Sequence, residues 1–243
     1  MLAPFLLLLQ VLSPTAVHVT VDGVDRVAYV CSPIQTSGKP PVVFMFHGHG
    51  GSAERCMQHF EMEKRWPEAL IVYCDGLPVT TAGGDGKGWE LEANDKNRDI
   101  RFFDALYPKV LSNFHGDAKR VFAWGFSNGG MFIYTLWSMR ADKFAGFCAS
   151  GSAIVTDDIH LSTPKPAFIT ISGNDEIVPT PYQQQAFDQV KKTNASQTSG
   201  TPYGATGTLF KGEKPVVLWK YNGGHEFPFQ SFPKLIEFFK SIG

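Results

Sequence analysis

Along the chain, short and almost wholly apolar runs alternate with longer stretches in which apolar residues recur every three or four positions. The runs HVTVDG (18–23), RVAYVCSP (26–33), PVVFMFHG (41–48), LIVYCDG (70–76), RVFAWGF (120–126), FAGFCAS (144–150), AFITISG (167–173) and VVLWKYNGG (216–224) are rich in β-branched and aromatic residues. They read as strands. Helical periodicity predicts helices near 53–66, 98–113, 128–141, 181–193 and 230–241. DGVD (22–25) is a turn signal that makes the first two strands a hairpin. The later strands are continuous apolar runs flanked by helices, the pattern of a mostly parallel sheet covered on both faces. This predicts one α/β domain over residues 17–243, since no repeat or linker interrupts it. Two stretches follow neither period, GLPVTTAGGDGKGWELEANDKN (76–97) and TSGTPYGATG (198–207), and read as irregular, functional loops.

Composition narrows the function. With 243 residues, 43% of them hydrophobic and 19% charged, the chain is an ordinary globular one, and its formal net charge of −1 provides no field to recruit nucleic acid or an anionic membrane. The four cysteines (Cys31, Cys56, Cys74, Cys148) show no CxxC spacing, which argues against a zinc or thioredoxin-type site. They fit buried free thiols or, in an exported protein, a disulfide. The start, MLAPFLLLLQVLSPTA (1–16), carries no charge and suits a signal-peptide core with small residues around Ala16, which would make the protein secreted or periplasmic. It also fits an apolar first strand, and it is too short to span a bilayer.

Chemistry enters at VFAWGFSNGGMF (121–132). A Gly-x-Ser-x-Gly turn between a buried strand and a helix lifts the serine hydroxyl clear of the sheet, and Gly125, Ser127 and Gly129 fill that pattern. Serine needs a base, and His225 lies on a glycine turn after the last strand, ahead of the final helix. The imidazole needs a carboxylate. Asp175 follows the AFITISG strand, with Glu176 beside it as the rival acid. The order Ser, Asp, His is that of α/β-hydrolases. An oxyanion needs backbone N–H donors, and the loop FHGHGGS (46–52) offers Gly48 and His49, with Asn128 after the serine as the second source. His47 and His49 have no placed third ligand, so neither a metal nor another cofactor is called for.

With these residues assembled, the chain resembles the α/β-hydrolase esterases grouped with poly(3-hydroxybutyrate) depolymerases and feruloyl or acetylxylan esterases. FHGHGGS, IVYCDGL, GFSNGGMF, GNDEIVP and GGHEFP carry the likeness, over roughly residues 20–243. The resemblance implies an α/β-hydrolase fold with little or no lid and a serine carboxylic-ester hydrolase working through an acyl-enzyme. It implies short-chain, hydroxycinnamoyl or polyester-type substrates, small or polymeric. Two departures stand out. Gly173 precedes Asp175 by one residue fewer than in the family pattern, and Phe227 stands where tryptophan is usual and would form a substrate wall. The segment between Gly151 and Pro166 is too short for a helical lid, so the 76–97 and 198–207 stretches should border the site. Trp89 could stack on an aromatic acyl group or sugar, or anchor its own loop. A peptidase with the same triad and a non-catalytic binding module are the competing readings.

Overall fold

A computed structural model of the chain describes residues 13–34 and 37–242. Most of the leader reading (1–12) therefore lies outside the described residues, whereas Thr15 and Ala16 open the first strand.

The chain runs β1 (Thr15–Val21), β2 (Val24–Cys31), β3 (Val42–Phe46), α1 (Ala53–Phe60), α2 (Met62–Arg65), β4 (Leu70–Cys74), β5 (Leu77–Thr81) and β6 (Gly84–Gly88). It continues with α3 (Arg98–Asn113), β7 (Val121–Phe126), α4 (Asn128–Arg140), β8 (Gly146–Ser150), β9 (Ala167–Ser172) and α5 (Thr180–Thr193). Last come β10 (Thr201–Tyr203), β11 (Gly207–Phe210), β12 (Val216–Tyr221) and α6 (Phe232–Ser241). Ten strands form one sheet in the order β1-β2-β4-β3-β7-β8-β9-β12-β11-β10. From β4 to β12 every pairing is parallel, with antiparallel pairs at both edges.

The apolar runs explain this arrangement. Every residue of β3, β4, β8 and β9 is buried, because the sheet is covered on both faces. Alternate side chains feed two core layers. Val42, Phe44 and Phe46 lie in the layer shared with α3, α4 and α5, while Val43 and Met45 lie in the layer shared with α1, α2 and α6. The edge strand β1 alternates exposed and buried instead. Between β2 and α3, Arg26 and Asp99 form a fully buried ion pair at 2.6 Å.

Two expectations are corrected. The 76–97 stretch is not irregular. Its first half is the β5–β6 hairpin, turned at Ala82 and Gly83, with Gly84 opening β6 at a φ of 96°. Its second half is tied down by Asn97, which caps α3 by accepting from the Asp99 and Ile100 N–H groups and donates to the carbonyls of Glu90 and Glu92. The 198–207 stretch contains β10, an edge strand. The 151–166 segment holds no helix or strand. It is strapped to α4 and α5 through Trp137 Nε1–H to Thr163 O (2.8 Å) and Thr193 Oγ1–H to Leu161 O (2.8 Å). No described helix is long and apolar enough to cross a membrane.

Candidate active site

Ser127 sits between β7 and α4 with a φ of 56° and a ψ of −125°, a conformation disfavoured for any residue with a side chain. The turn closes only because its neighbours are glycines. A Cβ on Gly125 would lie 2.3 Å from Gly129 O, and one on Gly129 would lie 2.1 Å from Phe46 O.

Facing this serine, His225 comes from the turn after β12. Ser127 Oγ and His225 Nε2 are 2.8 Å apart. His225 Nδ1 is 2.8 Å from Asp175 Oδ2. A carboxylate can only accept, so the ring proton sits on Nδ1 and Nε2 is free to accept from Ser127 Oγ–H. The Asp175 side chain is fully buried and amply hydrogen-bonded. Oδ1 accepts from the Ile177 and Val178 N–H groups (2.9 and 2.8 Å), and Oδ2 also accepts from Gln183 Nε2 (2.9 Å). Gln183, on α5, went unnoticed in the sequence, where a glutamine in a run of three carries no signal. Glu176, the rival acid, is exposed and makes no hydrogen bond to His225.

The 46–52 loop runs past Ser127, for a Cβ on Gly48 would stand 3.2 Å from Ser127 Cβ. His47 organises it. Gly76 N–H donates to its Nε2 (3.0 Å), so Nδ1 carries the proton and donates to Gly48 O (2.8 Å). Burial pushes its pKa below the ordinary histidine value, keeping the ring neutral. Gly48 O also accepts from Gly51 N–H (3.0 Å), and Gly50 N–H donates to Lys87 O (2.8 Å). In a trans peptide the N–H opposes the C=O, so holding Gly48 O inward turns the His49 N–H away from the loop interior. Asn128 opens α4, and its N–H has no acceptor within the helix.

Trp89 is not a substrate wall. It is 1% exposed, stacks on Phe132 at 5.4 Å between ring centroids and donates from Nε1 to His47 O (2.8 Å). Phe227 does line the cavity beside His225, but at 4% exposure it mainly packs on Trp124, Phe60 and Phe232. That cavity, of about 420 Å³, reaches from His225 and the 46–52 loop along α1 to Phe229. His59, an exposed residue of α1, lines it with Phe60 and Phe126. The only hint of this was the i, i+3, i+4 spacing of Cys56, His59 and Phe60. Neither 76–97 nor 198–207 contributes a lining residue. All four cysteines are free and buried.

Comparison with known proteins adds context to this geometry. Residues 79–199 match the prolyl oligopeptidase family. A probable feruloyl esterase C of Aspergillus clavatus is 28% identical over 76% of this chain and 69% of that protein. The bifunctional acetylxylan esterase/xylanase XynS20E of Neocallimastix patriciarum is 26% identical over 67% of this chain, which spans only 23% of it. Among solved structures, an acetyl xylan esterase from Aspergillus awamori superposes with a TM-score of 0.72 over 93% of this chain and 99% of that one, at 12% identity. That likeness speaks to the fold alone.

Proposed function

We propose that the chain, which is similar to feruloyl and acetylxylan esterases, is a carboxylic ester hydrolase in which Ser127, His225 and Asp175 form the catalytic triad and act through an acyl-enzyme. His225 Nε2 takes the Ser127 proton as Oγ attacks the ester carbonyl. The His49 and Asn128 N–H groups receive the oxyanion of the tetrahedral intermediate. His225 then hands its proton to the departing alkoxide, which leaves as the alcohol. In the second half, His225 activates a water that attacks the acyl-serine. The acid is released and Oγ is reprotonated. Asp175 holds Nδ1–H throughout and stabilises the imidazolium. The observation that carries this reading is the hydrogen-bonded line from Ser127 through His225 to Asp175, at 2.8 Å in each step.

The cavity favours short or planar aromatic acyl groups, since its walls include Phe60, Phe126 and Phe229 beside the oxyanion loop. The match to the prolyl oligopeptidase family supports a second reading, cleavage of amides by the same triad. Stopped-flow hydrolysis of p-nitrophenyl acetate, butyrate and ferulate tests the first. A burst of one nitrophenol per chain, with an acylated Ser127 peptide in the quenched sample, is expected. Faster turnover of prolyl p-nitroanilides than of these esters would favour the second, and absence of any acylated serine would remove both.

A further inference from the structure

We propose that Trp89 is a positioning residue for the oxyanion site, holding both donor-bearing segments in register, and that the β5–β6 hairpin exists to place it there. The inference rests on the triad reading above and concerns how its electrostatic component is built.

The two donors come from segments remote in sequence, the His47–His49 turn and the start of α4. Trp89 bonds to both. Its Nε1–H donates to His47 O (2.8 Å), and its backbone is clamped by the Asn128 side chain, with Trp89 N–H donating to Asn128 Oδ1 (2.8 Å) and Asn128 Nδ2 donating to Trp89 O (3.3 Å). A carbonyl held in one direction fixes the N–H across the same trans peptide. Trp89 therefore orients the 47–48 peptide, immediately before the 48–49 peptide that carries the His49 N–H donor and that the His47 ring and Gly51 N–H hold. Without the indole donor, nothing else bonds to His47 O among the described residues, and that carbonyl loses the bond that orients it.

The hairpin reinforces the loop from outside. Lys87 O accepts from Gly50 N–H (2.8 Å), and the hairpin backbone passes directly against the loop. A Cβ on Gly86 would lie 2.9 Å from His49 Nε2 and 3.1 Å from Gly50 Cα. A Cβ on Gly88 would lie 2.6 Å from Asn128 Oδ1. Packing this close explains why a glycine-rich strand occurs where β-propensity is poor, and why a tryptophan follows it.

Positioning differs from packing in what it changes. A displaced donor weakens the oxyanion and leaves ground-state binding intact. Trp89→Phe keeps a ring on Phe132 but loses the Nε1 donor. Gly86→Ala perturbs the loop from the half-exposed hairpin without touching the core, and Asp85→Ala, at the exposed tip, serves as the neutral control. The measurements are kcat and KM on p-nitrophenyl butyrate, inhibition by phenylboronic acid, whose serine adduct mimics the tetrahedral intermediate, and inhibition by butyrate, the product. For Trp89→Phe and Gly86→Ala, kcat and phenylboronic acid affinity should fall together by about tenfold, less than the hundredfold or more that follows complete loss of a donor. KM and butyrate affinity should stay within about twofold of wild type, and Asp85→Ala should match wild type in every measure. Unchanged kcat and boronate affinity in both folded variants would overturn the proposal. So would a parallel fall in butyrate affinity, which would mark Trp89 as packing only. A wild-type enzyme that ignores phenylboronic acid would instead remove the Ser127 reading, and the proposal with it.

Discussion

At the scale of single residues, the candidate site is a set of side chains whose states are fixed by what surrounds them. Asp175 accepts from two backbone N–H groups and from Gln183 as well as from His225, which holds its carboxylate in one orientation. His47 stays neutral because burial disfavours its cation. That has a consequence for stability. In the unfolded chain His47 takes up a proton near its ordinary value of 6.5, whereas the folded chain resists protonation until a lower pH. Stability contributed by the neutral ring is therefore complete above that value and lost as pH falls below it. Thermal unfolding from pH 8 to pH 5 should show wild type losing more stability than His47→Gln, and parallel slopes would contradict this. Ser127, His225 and Asp175 were legible in the sequence because each is announced by its own neighbours, glycine turns at the first two and a strand end at the third. Trp89 was not legible as an anchor, since its partners, His47, Asn128 and Phe132, come from two other segments.

Elements were legible in proportion to how much of their stability is local. The buried strands and the amphipathic helices appear where period and composition put them, and α3 spans residues 98–113 as predicted. The β5–β6 and β10–β11 pairs were missed for a physical reason. GDGKG and TPY are poor strand formers on intrinsic propensity. Their pairing is held by contacts no local window contains, with the His49 loop in one case and with Trp219 and Lys234 in the other. Between elements, the Arg26–Asp99 pair joins β2 to α3, and Asp99 Oδ2 also accepts from Glu90 N–H (2.8 Å). Asp99→Ala leaves a buried guanidinium unpaired, which should cost about 3–5 kcal/mol in urea unfolding. The double variant Arg26→Met, Asp99→Leu should recover much of that loss, because removing both charges removes the desolvation penalty. A loss below about 1 kcal/mol in Asp99→Ala would contradict the account.

For the molecule as a whole, the sheet gathers the strand ends that carry Ser127, Asp175 and His225, and α1 with the loop before α6 closes a cavity beside them. That cavity is walled by Phe60 and Phe227, which are 6% and 4% exposed, so a long acyl chain finds no tunnel in which each methylene could gain about 0.8 kcal/mol. With the 151–166 segment strapped to α4 and α5, nothing in it is poised to open at a lipid surface. Acetate, butyrate and ferulate esters should therefore exceed palmitate in kcat/KM, with no jump in rate as an ester passes its solubility limit. A preference for palmitate would contradict the cavity assignment. All of this depends on Ser127 being the nucleophile, and intact-mass and peptide analysis after treatment with a fluorophosphonate tests that most directly. The account expects one adduct per chain, on Ser127, with none on Ser127→Ala and labelling slowed at least about 10³-fold in His225→Ala. Labelling at another residue, or equal labelling of Ser127→Ala, would contradict it.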